Sequence, residues 1–85
     1  MQSLKNKTAL VTGAGKGIGK AVALALAAEG VHVGLIARTE KDLQTVADEI
    51  KALGVNVAYA TADISNRAEV EAAVASISAA LGAVD

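Results

Sequence analysis

Apolar and polar positions alternate along this chain with two different periods. Three short apolar runs, residues 8–11, 32–37 and 56–61, are partly β-branched and read as buried strands. Between them, apolar residues recur every three or four positions, as on a helix with one buried face. Ile18, Val22, Ala25, Leu26 and Glu29 trace such a stripe over residues 18–29, flanked by Leu24 and Ala28, and Gly30 ends it. Thr39 reads as the N-cap of a second helix, with Asp42 three residues on. That helix carries Leu43, Val46, Ala47, Ile50 and Leu53 on one face and stops at Gly54. Lys41, Asp48, Glu49 and Lys51 fall off the stripe and mark a solvated face.

A turn at Asp63-Ile64-Ser65-Asn66 precedes a third helix, capped by Ser65 or Asn66. Glu69, three after Asn66, favours Asn66 in a capping box. Val70, Val74, Ile77 and Leu81 form the buried stripe, Gly82 ends the helix, and Ala83-Val84-Asp85 suit the start of a fourth strand. Strands alternating with helices of this length pair in parallel through crossovers. The expected fold is α/β: a βαβαβα half of a doubly wound parallel sheet, with strand order 3-2-1.

Composition narrows the function classes. The 85 residues allow one domain at most, and 53% hydrophobic residues are enough for a core. Tyr59 is the one aromatic, so that core is built from Val, Ile, Leu and Ala. Such side chains bury modest areas, worth roughly 25 cal/mol per Å². A net charge of −1 argues against an electrostatic nucleic-acid binder. With no cysteine and a single histidine, His32, neither a disulfide framework nor a spaced zinc site is expected. His32 reads as a surface residue at a strand start, and Tyr59 as a sheet-face or core aromatic. No apolar run reaches the roughly 18–20 residues of a membrane span. The N-terminus lacks signal-peptide features, so a cytoplasmic setting without membrane contact is expected.

The chemistry concentrates at residues 12–19, Thr-Gly-Ala-Gly-Lys-Gly-Ile-Gly, between the first strand and the first helix. A glycine turn there gathers backbone N–H groups and the positive end of a helix dipole at one point, which suits a phosphate. Gly13 suits the tight turn out of the strand. Gly17 removes a Cβ that would block a pyrophosphate, and Gly19 lets the helix pack on the strand. Gly15 and Gly17 also permit φ > 0. Gly13, Gly17 and Gly19 are spaced Gly-x-x-x-Gly-x-Gly, not the generic Gly-x-Gly-x-x-Gly.

That spacing, with Thr12 before it and Ile18 between the last two glycines, resembles the cofactor signature of the short-chain dehydrogenase/reductase family. The resemblance spans the chain. Through Thr8-Ala9-Leu10-Val11-Thr12-Gly13, Leu35-Ile36-Ala37-Arg38-Thr39 and Ala62-Asp63-Ile64-Ser65, it is nearest to the bacterial branch that reduces 3-oxoacyl groups on acyl carrier protein. It implies the N-terminal part of a Rossmann-type domain and a nicotinamide cofactor.

In such folds the end of the second strand faces the adenosine ribose, where an acid would favour an unphosphorylated ribose. Here Ala37 stands at that point, followed by Arg38, with Lys16 in the glycine turn. Two cations and no acid favour a 2′-phosphate, hence NADP(H). Arg38 can pair bidentately, Lys16 acts as a point charge, and Thr39 can add a hydroxyl donor. The plainer reading of Arg38 is a solvent-facing residue at a strand end. By resemblance, Asp63 hydrogen-bonds the adenine amino group and the backbone of Ile64 helps hold the ring. The plainer reading of Asp63 is a turn initiator. Thr12 is expected to stabilise the glycine turn. The candidate cofactor residues are therefore Gly13, Gly15, Lys16, Gly17, Ile18, Gly19, Arg38, Thr39, Asp63 and Ile64.

The family's chemistry further implies a serine and a Tyr-x-x-x-Lys pair in the second half of the domain; residues 1–85 contain no Tyr-x-x-x-Lys, since Asp63 stands four after Tyr59. The chain is expected to be the first third of an NADPH-dependent ketone reductase, which would assemble as a homotetramer and act on an acyl-carrier-protein-bound or other small carbonyl substrate. A non-catalytic NADP-binding module is the alternative from another class. Taken alone, residues 1–85 would leave Ala9-Leu10-Val11 as an uncovered edge and are expected to be aggregation-prone or marginally folded.

Overall fold

A computed structural model of the chain describes residues 6–13 and 17–82. Six elements alternate: β1 (Thr8–Thr12), α1 (Gly17–Ala28), β2 (His32–Ala37), α2 (Glu40–Lys51), β3 (Val57–Thr61) and α3 (Arg67–Leu81). Each lies within a residue or so of the span expected from its pattern. The strands form one parallel sheet in the order β1-β2-β3, the expected 3-2-1 order read from the other edge. Thr8 pairs with His32 and Thr12 with Ile36, while Val33 pairs with Val57 and Ala37 with Thr61.

Side chains alternate across the sheet and divide the core into two layers. On one face, Val11, Val33 and Leu35 pack with Ala23 and Ala27 of α1 and Leu43, Val46, Ala47 and Ile50 of α2. On the other, Ile36 packs with Ala73 and Ile77 of α3, and Leu10, Ala58 and Ala60 join them. Helices therefore cover both faces, and β2, central in the sheet, contributes four consecutive buried residues, 33–36. A strand buried on both sides needs this unbroken apolar run.

Gly34 is part of that fit. An added Cβ there would stand 2.5 Å from Ile77 Cγ2 and 3.2 Å from Leu10 Cδ1. The bare backbone at Gly34 is what lets α3 lie close against β2.

The stripe expected on α1 is corrected. Ala23 and Ala27 are its buried residues, whereas Ile18 is 84% exposed and Val22 43%; Ala25, Ala28 and Glu29 are exposed too. Nearly every α1 side chain is apolar, so hydrophobicity alone cannot choose a face. Close approach to the sheet chooses the small residues instead. On α2 the stripe is as expected except for Leu53, which lies beyond the helix and is 49% exposed. Lys20 of α1 and Glu49 of α2 form an exposed ion pair at 3.6 Å.

The caps differ from expectation in chemistry rather than position. Thr39 is the N-cap of α2, yet its side chain makes no capping hydrogen bond; its carbonyl accepts from Leu43 N–H at 3.2 Å. Asn66 caps α3, its Oδ1 accepting from Glu69 N–H at 3.1 Å. The Glu69 carboxylate does not close the box onto Asn66; it reaches further back (see below). His32 is half-buried, and its Nδ1 accepts from Asn56 N–H at 3.0 Å. That bond requires the unprotonated nitrogen and ties the starts of β2 and β3, at the opposite end of the sheet from the glycine turn.

Candidate functional site

Parallel strands bring their C-terminal ends to one edge of the sheet, and the sequence puts its polar candidates there. β1 runs out at Thr12, and Gly13 turns away with φ +65° while its N–H donates to the Ile36 carbonyl at 2.8 Å. Gly17 opens α1 with φ +59°. Both angles lie in the left-handed region that glycine enters without cost from a Cβ. A Cβ at either would meet nothing within 4 Å among the described residues, so conformation rather than internal crowding requires glycine there. Gly19 lies in the first turn of α1, half-buried, and Ile18 beside it turns its side chain outward. Gly15 and Lys16 lie outside the described residues.

At the next strand end, Ala37 closes β2 and Arg38 follows, exposed. The Ala62 N–H donates to the Ala37 carbonyl at 3.0 Å, holding the chain after β3 against the chain after β2. Between them opens a cleft of ≈ 330 Å³ lined by Arg38, Thr61, Ala62, Asp63 and Glu69. The structure thus brings Arg38 and Asp63 to one cleft. Thr39 and Ile64 do not line it; both are exposed, Ile64 to 50%.

Asp63 is held on several sides. Its Oδ1 accepts from Ser65 N–H at 3.0 Å and from Ser65 Oγ–H at 2.7 Å. Its carbonyl accepts from Asn66 N–H at 2.9 Å, and its own N–H donates to Glu69 Oε1 at 3.2 Å. The two Ser65 bonds hold the Asp63 carboxyl below the ordinary carboxylate value; burial opposes them slightly and the charge of Arg38 adds to them. Asp63 is therefore an anion at neutral pH. The turn-initiator reading and the ligand reading of Asp63 are compatible, because both Ser65 bonds fall on one oxygen.

Glu69 is the residue that sequence reasoning missed here. Its spacing from Asn66 was the available signal, and it pointed to the helix cap rather than to the cleft. Among the described residues, no helix is long and apolar enough to cross a membrane.

Residues 7–85 match the family described as short chain dehydrogenase. Among curated relatives, the chain is 45% identical over 82 residues to glycine betaine reductase ATRR of Emericella nidulans, covering 96% of this chain and 6% of that protein. It is 41% identical over 81 residues to the 3-oxoacyl-acyl-carrier-protein reductase FabG of Staphylococcus epidermidis, covering 94% of this chain and 33% of that one. Among solved structures, L-sorbose reductase from Gluconobacter frateurii, complexed with NADPH and L-sorbose, superposes with a TM-score of 0.90 at 32% identity. That match covers 99% of this chain and 33% of the reductase. A short-chain dehydrogenase/reductase from Burkholderia phymatum in complex with NAD also gives 0.90, at 34% identity, covering 99% of this chain and 30% of its own. The chain therefore spans a third or less of the length of these relatives.

Proposed function

The chain belongs to the short-chain dehydrogenase family, and on that premise we propose that it supplies the adenosine and pyrophosphate half of an NADP(H) site in a ketone reductase. The observation that carries the reading is the end of β2. Ala37 stands where a ribose-binding acid would be, and Arg38 follows it onto a cleft shared with Asp63.

The residues fit such a cofactor. The left-handed glycines Gly13 and Gly17 shape a strand-to-helix turn whose N–H groups, with the α1 N-terminus, favour a pyrophosphate. By their place in the sequence, Gly15, Ile18 and Gly19 belong to the same phosphate cradle, and Lys16 would bring a cation to it. The Arg38 guanidinium pairs with a ribose 2′-phosphate, and Thr39, exposed outside the cleft beside Arg38, would add a hydroxyl to a phosphate that reaches past the cleft. Asp63 accepts from the adenine amino group, and the backbone of Ile64, next to it and outside the cleft, helps hold the ring. When bound, the cofactor supplies the hydride; residues 1–85 bind and orient its adenosine end.

The substrate reading is a 3-oxoacyl group on acyl carrier protein, supported by the identity to the staphylococcal reductase. A second reading, a sugar or other small ketone, is favoured by the likeness to the sorbose reductase. Action in the cytoplasm as a homotetramer is part of the proposal for either substrate. The test is cofactor oxidation by the whole gene product, with acetoacetyl thioesters against a panel of sugars and simple ketones. Faster turnover of NADPH than of NADH, with the thioesters preferred, is expected. A preference for NADH would overturn the cofactor reading, and a preference for sugars would overturn the substrate reading.

A further inference from the structure

We propose that Glu69, which holds the main chain of Asp63, and Ser65, which holds its carboxylate, are positioning residues that set how the site recognises the adenine base. The proposal rests on the adenosine-site reading above and adds to it a residue outside the glycine and strand-end motifs.

The N–H of Asp63 goes to Glu69 Oε1, its carbonyl to Asn66 N–H, and its Oδ1 to both donors of Ser65. Oδ2 has no hydrogen-bond partner among the described residues. Main chain and side chain of Asp63 are thus both fixed, and one carboxylate oxygen is left to accept from a ligand. Fixing a group before the ligand arrives removes the ordering cost from binding.

Glu69 departs from ordinary capping to do this. In a capping box its carboxylate would take the N–H of Asn66. Here the Asn66 N–H is already bonded to the Asp63 carbonyl, and the Glu69 carboxylate takes the Asp63 N–H, six residues back. Glu69 is in turn held by its own N–H on Asn66 Oδ1 at 3.1 Å, and it lines the same cleft as Arg38 and Asp63. The start of α3 is thereby tied to the main chain just after β3, where Asp63 stands.

Changing Glu69 also changes the charge of the cleft, which would shift the affinity of any anion. A ratio between two equally charged ligands cancels that effect. The probes are NADPH and its analogue with unsubstituted purine in place of adenine, which lacks the 6-amino group that Asp63 would accept from and keeps N1 as an acceptor. The whole gene product is expected to bind NADPH on the order of tenfold tighter than the analogue, the size of one hydrogen bond to a charged group. Asp63→Ala should bring the ratio near one. Glu69→Ala should lower it at least ~3-fold, and Glu69→Gln, whose amide oxygen can still accept the Asp63 N–H, should restore it. Ser65→Ala, a milder change for folding, should lower it ~2-fold. A ratio unchanged in Glu69→Ala, or in Ser65→Ala should the first variant not fold, while Asp63→Ala collapses it, overturns this proposal alone. No discrimination in the unaltered protein, or none lost in Asp63→Ala, overturns the placement of adenine on Asp63 and this proposal with it.

Discussion

Ile77 of α3 occupies the space that a side chain on Gly34 of β2 would need: a Cβ added at Gly34 would stand 2.5 Å from Ile77 Cγ2. Leu10 Cδ1 closes the other side at 3.2 Å. Gly34→Ala should therefore destabilise the fold by about 1–3 kcal/mol, as overpacking of a filled core does. Urea denaturation measures this. On an Ile77→Ala background the same change should cost much less, because the clashing methyl is gone. Equal costs on both backgrounds would show that the contact does not limit the approach of α3.

The two helix caps should respond differently to truncation. Asn66→Ala removes the bond to the Glu69 N–H and should cost about 1 kcal/mol. Thr39 occupies the same position on α2 but makes no side-chain cap bond, so Thr39→Ala should stay within about 0.5 kcal/mol. Comparable losses in the two denaturation curves would contradict the assigned caps.

These caps also show what was legible in the sequence. The α2 stripe stood out because Lys41, Asp48, Glu49 and Lys51 contrast with Leu43, Val46, Ala47 and Ile50, which the structure buries. On α1 that contrast is missing, and the face was fixed by which residues are small enough to meet the sheet, Ala23 and Ala27. The parallel order of the strands followed from their alternation with helices; Arg38 was placed by the end of the second strand and Asp63 by the family resemblance, and the structure sets both on one cleft. What spacing could not reveal was distance in space: Gly34 against Ile77, and Glu69 reaching back to Asp63. Each depends on how α3 sits on the sheet, which no local pattern records.

Gly17→Ala tests the turn. With φ +59° and nothing within 4 Å of an added Cβ among the described residues, the cost should come from the left-handed conformation, about 1–2 kcal/mol. Calorimetric melting gives that cost. Titration with NADPH should show an additional loss of affinity if this turn cradles the pyrophosphate, and an unchanged affinity would argue against the cradle.

Acid should affect Asp63 in a defined direction. Its folded-state pKa lies below the ordinary 3.8, so its bonds contribute stability that is fully present above the unfolded value. That contribution is lost as pH falls below 3.8 and through the folded value. Carboxyl NMR titration should find Asp63 more than half ionised at pH 3.8, and Ser65→Ala should raise its midpoint toward the ordinary value. A midpoint unmoved by that change would mean that Ser65 does not hold the charge.

In the proposed site Arg38, without an acid at Ala37, selects a phosphorylated ribose. The most direct measurement is the ratio of NADH to NADPH dissociation constants for the whole gene product and for Arg38→Asp. The unaltered protein should bind NADPH tighter by roughly tenfold or more, the size of one charge-assisted hydrogen bond. Arg38→Asp should bring that ratio to one or below, chiefly by weakening NADPH. Equal losses for both cofactors, or tighter NADH binding by the unaltered protein, would contradict the account.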